Sequence, residues 1–300
     1  MPEGEIQLSN DPLRLGLRPA NGGSISRLDW QGADGTVHQI MRAGLDDPAH
    51  ISDPRDLACF PLFPFSNRIA DARLHMGEQV FNLPVNFPPE PHCIHGDSWQ
   101  YPWSVGPAGD HVISLTYESD RLGPPFDFAA SQKFTLDEDR LTIDLALTNS
   151  GTQPMPGGMG LHPYIPKPDN TRLQATLPKV WLSDETNIPT ERVDAPADWD
   201  FSTGRSLDGV IVDNNFSRWD GIARVEWPDR PFALQITASE ALRNVVLFAP
   251  EGGDFFCFEP VSHANNAMNQ PLESWEEHGV VLLQPGETLR GSISFHVVGH

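Results

Sequence analysis

A period of two in the placing of apolar residues, cut every few positions by proline or glycine, constrains this chain more than any other feature. In "LRLGLR" the apolar positions are Leu13, Leu15 and Leu17. In "RLTIDLALTNSG" they are Leu141, Ile143, Leu145 and Leu147, with Thr142, Asp144 and Thr148 on the other face. In "GSISFHVVGH" they are Ile293, Phe295 and Val297. Successive side chains of an extended strand point to opposite faces, so each segment has one apolar face and one wet face. "VVLFAP" (245–250) is a continuous apolar run and reads as a strand covered on both faces. The 29 Pro and 25 Gly are scattered, and "NSGTQPMPGG", "APEGGD" and "LQPGET" each separate two apolar runs. Helical periodicity is confined to "PLESWEEHG" (271–279), which has room for one short helix. The pattern predicts an all-β protein, a large antiparallel sandwich or barrel with few short helices. No shift of composition marks a boundary, so residues 1–300 read as a single domain.

Charge and cysteine content narrow the function classes. A net charge of −21 argues against nucleic acid and against anionic membrane surfaces as partners. It also disfavours phosphorylated ligands unless basic side chains gather locally, and no Lys/Arg run does so in the sequence. The three cysteines, Cys59, Cys93 and Cys257, contain no CxxC pair and do not form a disulfide framework. The N-terminal residues lack a basic segment followed by an apolar one, and no stretch approaches a membrane span. A reduced, cytoplasmic setting is the expectation.

Several segments set polar or ionisable groups inside apolar strands. They are "FSNRIA" with Arg68, "HCIHGDSWQYPW" with His92 and His95, "GMGLHPYIP" with His162, and "FFCFEPVSHANNAMN" with Glu259. "LDGVIVDNNF" adds Asp208 and Asp213. A histidine in such a strand is ordinarily a hydrogen-bonded structural residue. Glu259 is harder to dismiss, because it follows Phe255, Phe256, Cys257 and Phe258. A carboxylate enclosed there is either paired or pushed towards its neutral form. If "FFCFE" is extended, Cys257 and Glu259 share a face; if "HCIHG" is extended, Cys93 and His95 share one. His92, His95, His162 and Glu259 include metal-ligand types, but their spacing matches no strong zinc motif. No GxSxG, P-loop or GxGxxG motif is present.

Taken in order, "PANGGSISRLDW", "NRIADARLHMGE", "IHGDSWQYPW", "GLHPYI", "RSLDGVIVDNNFSRWDG", "FEPVSHANNAMN" and "LQPGETLRGSISF" resemble the aldose 1-epimerase (galactose mutarotase) family over nearly the whole chain. The resemblance implies a twisted antiparallel supersandwich and an isomerase that interconverts the anomers of a free hexose. It needs neither cofactor nor metal; its partner is a monosaccharide, and the chain is a monomer or homodimer. By the same resemblance Glu259 is the general base at the sugar C1 hydroxyl and His162 the general acid at the ring oxygen. His95 is a second histidine near that oxygen. Arg68, with Asn67 beside it, and Asp213 hold sugar hydroxyls, Asp208 being the alternative to Asp213. In "HPYI" Ile165 stands where the family more often has Phe. Phe65, Trp99 and Trp103 are candidate apolar walls. A hexose 6-phosphate epimerase, for which Arg73, Arg205 and Arg218 are candidate phosphate ligands, and a non-catalytic sugar-binding protein are the alternatives.

Overall fold

A computed structural model describes residues 4–44 and 53–299. Two large sheets dominate it, and the pairings within each are antiparallel. The eleven-stranded sheet runs from Ile6–Asn10 through Ser24–Gln31 and Cys59–Leu62 to Gly160–Pro166, Phe255–Val261, Asn244–Ala249 and Val212–Ser217, and ends at Pro189–Asp194. The nine-stranded sheet is centred on Arg140–Asn149, Thr288–Gly299 and Phe232–Ala238. One apolar core collects side chains from both. Leu13, Leu15, Leu17, Leu141, Ile143, Leu145, Leu147, Ile293, Phe295 and Val297 are all enclosed in it, as the alternation predicts.

The expected short helix is present as a 3-10 turn, Leu272–Ser274, running into Trp275–His278 and ended by Gly279 in the left-handed region. The turn in "LQPGET" joins Val281–Leu283 to Thr288–Gly299. The apolar run at 245–250 is covered on both faces for a physical reason. Val245, Leu247 and Ala249 enter the core between the sheets, while Val246 and Phe248 join a second apolar cluster on the other face.

That second cluster positions the site. The register pairs Gly160 with Val261 and Tyr164 with Cys257, which sets His162 opposite Glu259. Phe60 is the partner of His162 on one side, and Val246 the partner of Glu259 on the other. Phe60, His162, Glu259 and Val246 thus form one row across neighbouring strands. Tyr164, Cys257, Phe248 and Asp213 form the next. Because side chains alternate strictly along a strand, every member of both rows is on the face away from the inter-sheet core.

Candidate active site

A cavity of about 380 Å³ opens on that face. His162 and Glu259 line it beside Phe60, Trp99, Tyr164, Val246, Phe248 and Phe255, with Asn67, Arg68, Glu90, His95 and Asp213 around them. His162 Nε2 is 3.2 Å from Glu259 Oε1. The other carboxylate oxygen, Oε2, has no protein partner, although Glu259 is only 2% exposed. An enclosed acceptor without a protein donor is costly to leave so and well suited to a hydroxyl brought by a ligand. Phe60 stacks on the His162 ring at 4.4 Å, and Tyr164 packs against it at 4.9 Å. These rings hold the imidazole in place against the cavity.

The electrostatics follow from that enclosure. Burial pushes the Glu259 carboxyl well above the usual carboxylate range; Asp213 adds to this and Arg68 opposes it. Burial holds His162 down at about 3, with Arg42 adding to the depression, and its Nδ1 has no protein partner. Both effects favour uncharged groups, so the pair by itself leans towards a single proton held on Glu259. Burial, then His162 and Arg68, also keep His95 well below its ordinary value.

Arg68 stands just beyond the apolar run "CFPLFPF". It is nearly enclosed, and Glu90 grips it through two bonds, Nε to Oε2 at 2.8 Å and Nη2 to Oε1 at 2.9 Å. Its backbone N–H and Nη1 both donate to Asn67 Oδ1, at 3.0 and 3.2 Å. Asn67 and His95 are locked together: the Asn67 N–H donates to His95 Nδ1 at 3.0 Å, and the His95 N–H to the Asn67 carbonyl at 2.8 Å. His95 Nδ1 is therefore an acceptor, which leaves the ring proton on Nε2. Both residues have positive φ, 55° and 61°. Such conformations outside glycine cost on the order of 1–3 kcal/mol and concentrate at functional sites. Next to them Gly96 is obligatory, since a Cβ there would lie 1.9 Å from the Phe63 carbonyl oxygen.

Several expectations need correction. The strand carrying Cys93 ends at Ile94, and the left-handed backbone of His95 breaks the alternation. Cys93 accordingly enters the main core while Ile94 and His95 both line the cavity, so Cys93 and His95 do not share a face. Phe65 and Trp103 are core residues, packed on Phe126 and Tyr117, and only Trp99 of the three walls lines the cavity. Ile165 also faces the core, so it does not line the site. His92 lies outside the cavity and accepts the Asp71 N–H through Nδ1. Asp213 stands open to solvent at the cavity wall, where the protein around it raises its carboxyl and Arg68 opposes the rise. Asp208 is elsewhere, accepting the Asn170 N–H at 3.0 Å.

Arg73, Arg205 and Arg218 do not line the cavity; Arg42 and Arg55 do. Arg42 lies over the Tyr164 ring at 4.1 Å and donates to the Arg55 carbonyl. Arg55 is tied to Asp53 and lies over Phe87. Sequence reasoning missed these arginines, Glu90 and Phe87, which come from loops or strand ends where no periodicity marks direction. Among the described residues, one group has the donor types and proximity to hold a metal: His162, Cys257 and Glu259, whose ligand atoms lie within 4.8 Å of one another.

Residues 6–296 match the family model for aldose 1-epimerase. The uncharacterised Escherichia coli K12 protein YphB is 33% identical over 250 residues, 81% of this chain and 84% of that protein. Among solved structures, an Escherichia coli K12 protein provisionally described as an aldose 1-epimerase superposes with a TM-score of 0.87 at 30% identity, covering 99% of both chains. A galactose mutarotase-like protein from Clostridium acetobutylicum superposes with a TM-score of 0.86 at 19% identity, covering 99% of this chain and 95% of that one. The architecture expected from the strand pattern is the one these structures share.

Proposed function

The chain belongs to the aldose 1-epimerase family, and on that premise we propose that it interconverts the α and β anomers of a free hexose of the galactose or glucose type by opening and closing the ring. One observation carries the reading: an enclosed carboxylate with one unpartnered oxygen stands 3.2 Å from an imidazole on the floor of a cavity of sugar size.

Ring opening takes a proton from O1 and gives one to the ring oxygen. Both oxygens are bonded to the same carbon, so base and acid have to be near neighbours rather than face each other across the sugar. Glu259 removes the O1 proton and His162 supplies the ring-oxygen proton. The pair holds one proton throughout, on His162 before opening and on Glu259 after it. Burial biases the pair by itself towards the second state, and hydrogen bonds from the sugar to the carboxylate favour the first. The open aldehyde turns about C1–C2, and the reverse transfers close the other anomer. Each positioned transfer contributes roughly 10²–10⁴-fold. His95, with its proton on Nε2, donates near the ring oxygen; Asn67, Arg68 and Asp213 hold hydroxyls, and the aromatic walls take the apolar ring faces.

A second reading has one observation in its favour. Arg42 and Arg55 line the same cavity, so a hexose carrying an anionic substituent is also accommodated. Anomer exchange measured by NMR on free hexoses and on their 6-phosphates separates the two. Free sugars exchanging faster supports the first reading; exchange of the phosphates alone supports the second. Absence of exchange with every sugar, alongside measurable sugar binding, points to a non-catalytic protein and overturns both.

A further inference from the structure

Cys257 has no part in the proton transfers, yet it lies in the row next to Glu259 on the same strand face, fully enclosed. Its thiol, one His162 ring nitrogen and one Glu259 oxygen are mutually within 4.8 Å. These are zinc donor types, with bonds of about 2.3 Å to sulfur and about 2.0–2.2 Å to nitrogen and oxygen. Donors on one tetrahedral ion stand on the order of 3.5 Å apart, so the set has to contract by about 1 Å. His162 Nε2 and Glu259 Oε1, at 3.2 Å, are already that close, so the contraction falls on Cys257. The other two cysteines are not part of the group, and Cys93 lies in the main core.

We propose that His162, Cys257 and Glu259 form a binding site for thiophilic divalent cations of the zinc class, and that occupancy inhibits the enzyme by taking both members of the acid–base pair. Charge balance supports it. A dication with one thiolate, one carboxylate and a neutral imidazole sums to zero, which suits an enclosed site better than any isolated charge. On binding, the Cys257 S–H bond breaks and a sulfur–metal bond forms. The thiol proton leaves to solvent, as does the Glu259 proton when present, and nothing is oxidised or reduced. His162 and Glu259 line the cavity, which gives an ion its route of entry, while Cys257 lies behind them. Inhibition rests on the function proposed above; binding does not.

The test uses the intact chain, freed of metal with a chelator and titrated with cadmium chloride and zinc chloride. A thiolate-to-cadmium charge-transfer band should rise to saturation at one equivalent. In Cys257→Ser and Cys257→Ala the band should vanish and zinc affinity fall by more than the roughly 10–100-fold that loss of an outer-shell partner costs. Both variants should keep mutarotation while escaping zinc inhibition by the same factor, and Cys59→Ala should behave as the intact protein. A band that persists in both Cys257 variants, no band in the intact protein, or equal zinc inhibition of intact and variant proteins overturns the proposal. If the intact protein lacks mutarotation, the function reading fails while the band still decides the metal site.

Discussion

Acid should cost this protein a definite part of its stability through His263, and the loss should reach the site. His263 is fully enclosed, accepts the Ser66 N–H through Nε2 at 3.1 Å and donates from Nδ1 to the Ala264 carbonyl at 2.7 Å. The Ser66 bond requires the neutral ring, because a protonated Nε2 has no lone pair to accept it, whereas the Ala264 bond survives protonation. Burial, only partly opposed by the bond to Ala264, holds its pKa down at about 4 against an ordinary 6.5. Between those values the folded state binds fewer protons than the unfolded one, so this contribution rises with pH. It is complete above the unfolded value of 6.5 and is lost as pH falls through about 4. A gap of about 2.5 units at about 1.4 kcal/mol each makes ~3 kcal/mol. For a chain of this length that is roughly 5–6 °C in Tm. Calorimetry of the intact protein and of His263→Gln from about pH 7.5 to about pH 4 measures it. The variant should be the less stable at neutral pH, and the difference should shrink by ~3 kcal/mol on acidification. A difference that does not change with pH refutes the reasoning. The bond ends on Ser66, immediately before Asn67 and Arg68, so the intact protein should lose sugar affinity over the same range.

Three further outcomes are expected. Gly158→Ala places a Cβ 2.0 Å from His263 Cδ2, so it should destabilise by about 1–3 kcal/mol or more in denaturant unfolding; an unchanged midpoint contradicts the packing described. Glu90→Gln removes the carboxylate that aims Arg68 and should raise KM about fivefold with kcat little changed, the equivalent of ~1 kcal/mol for a partly exposed pair. Asp213→Asn should raise KM about tenfold while Asp208→Asn leaves it unaltered; the opposite ranking reverses the assignment.

The strand pattern carried the fold because period two encodes which face of each segment is buried, and Leu141, Ile143, Leu145 and Leu147 occupy the core accordingly. Glu259 stood out as a carboxylate set among aromatics, but its pairing with His162 as base and acid came only through the resemblance. No local spacing reports that two distant strands pair in a register that sets those residues side by side. His95 shows where the period fails, since a single residue at φ 61° ends the alternation and turns its side chain into the cavity. Glu90 and Phe87 stand in an irregular segment and Arg55 in a single 3-10 turn, where side-chain direction depends on tertiary contacts such as the Asn86 bonds to Ile94 and Gly96.

The central claim is that one carboxyl and one imidazole, sharing a proton on the cavity floor, open the sugar ring. Exchange between galactose anomers, followed by NMR with the intact protein, Glu259→Gln and His162→Asn at matched concentration, tests it directly. Each variant should keep the far-ultraviolet circular dichroism of the intact protein and lose roughly 10²–10⁴-fold in exchange rate. Near-normal exchange in either folded variant would contradict the account.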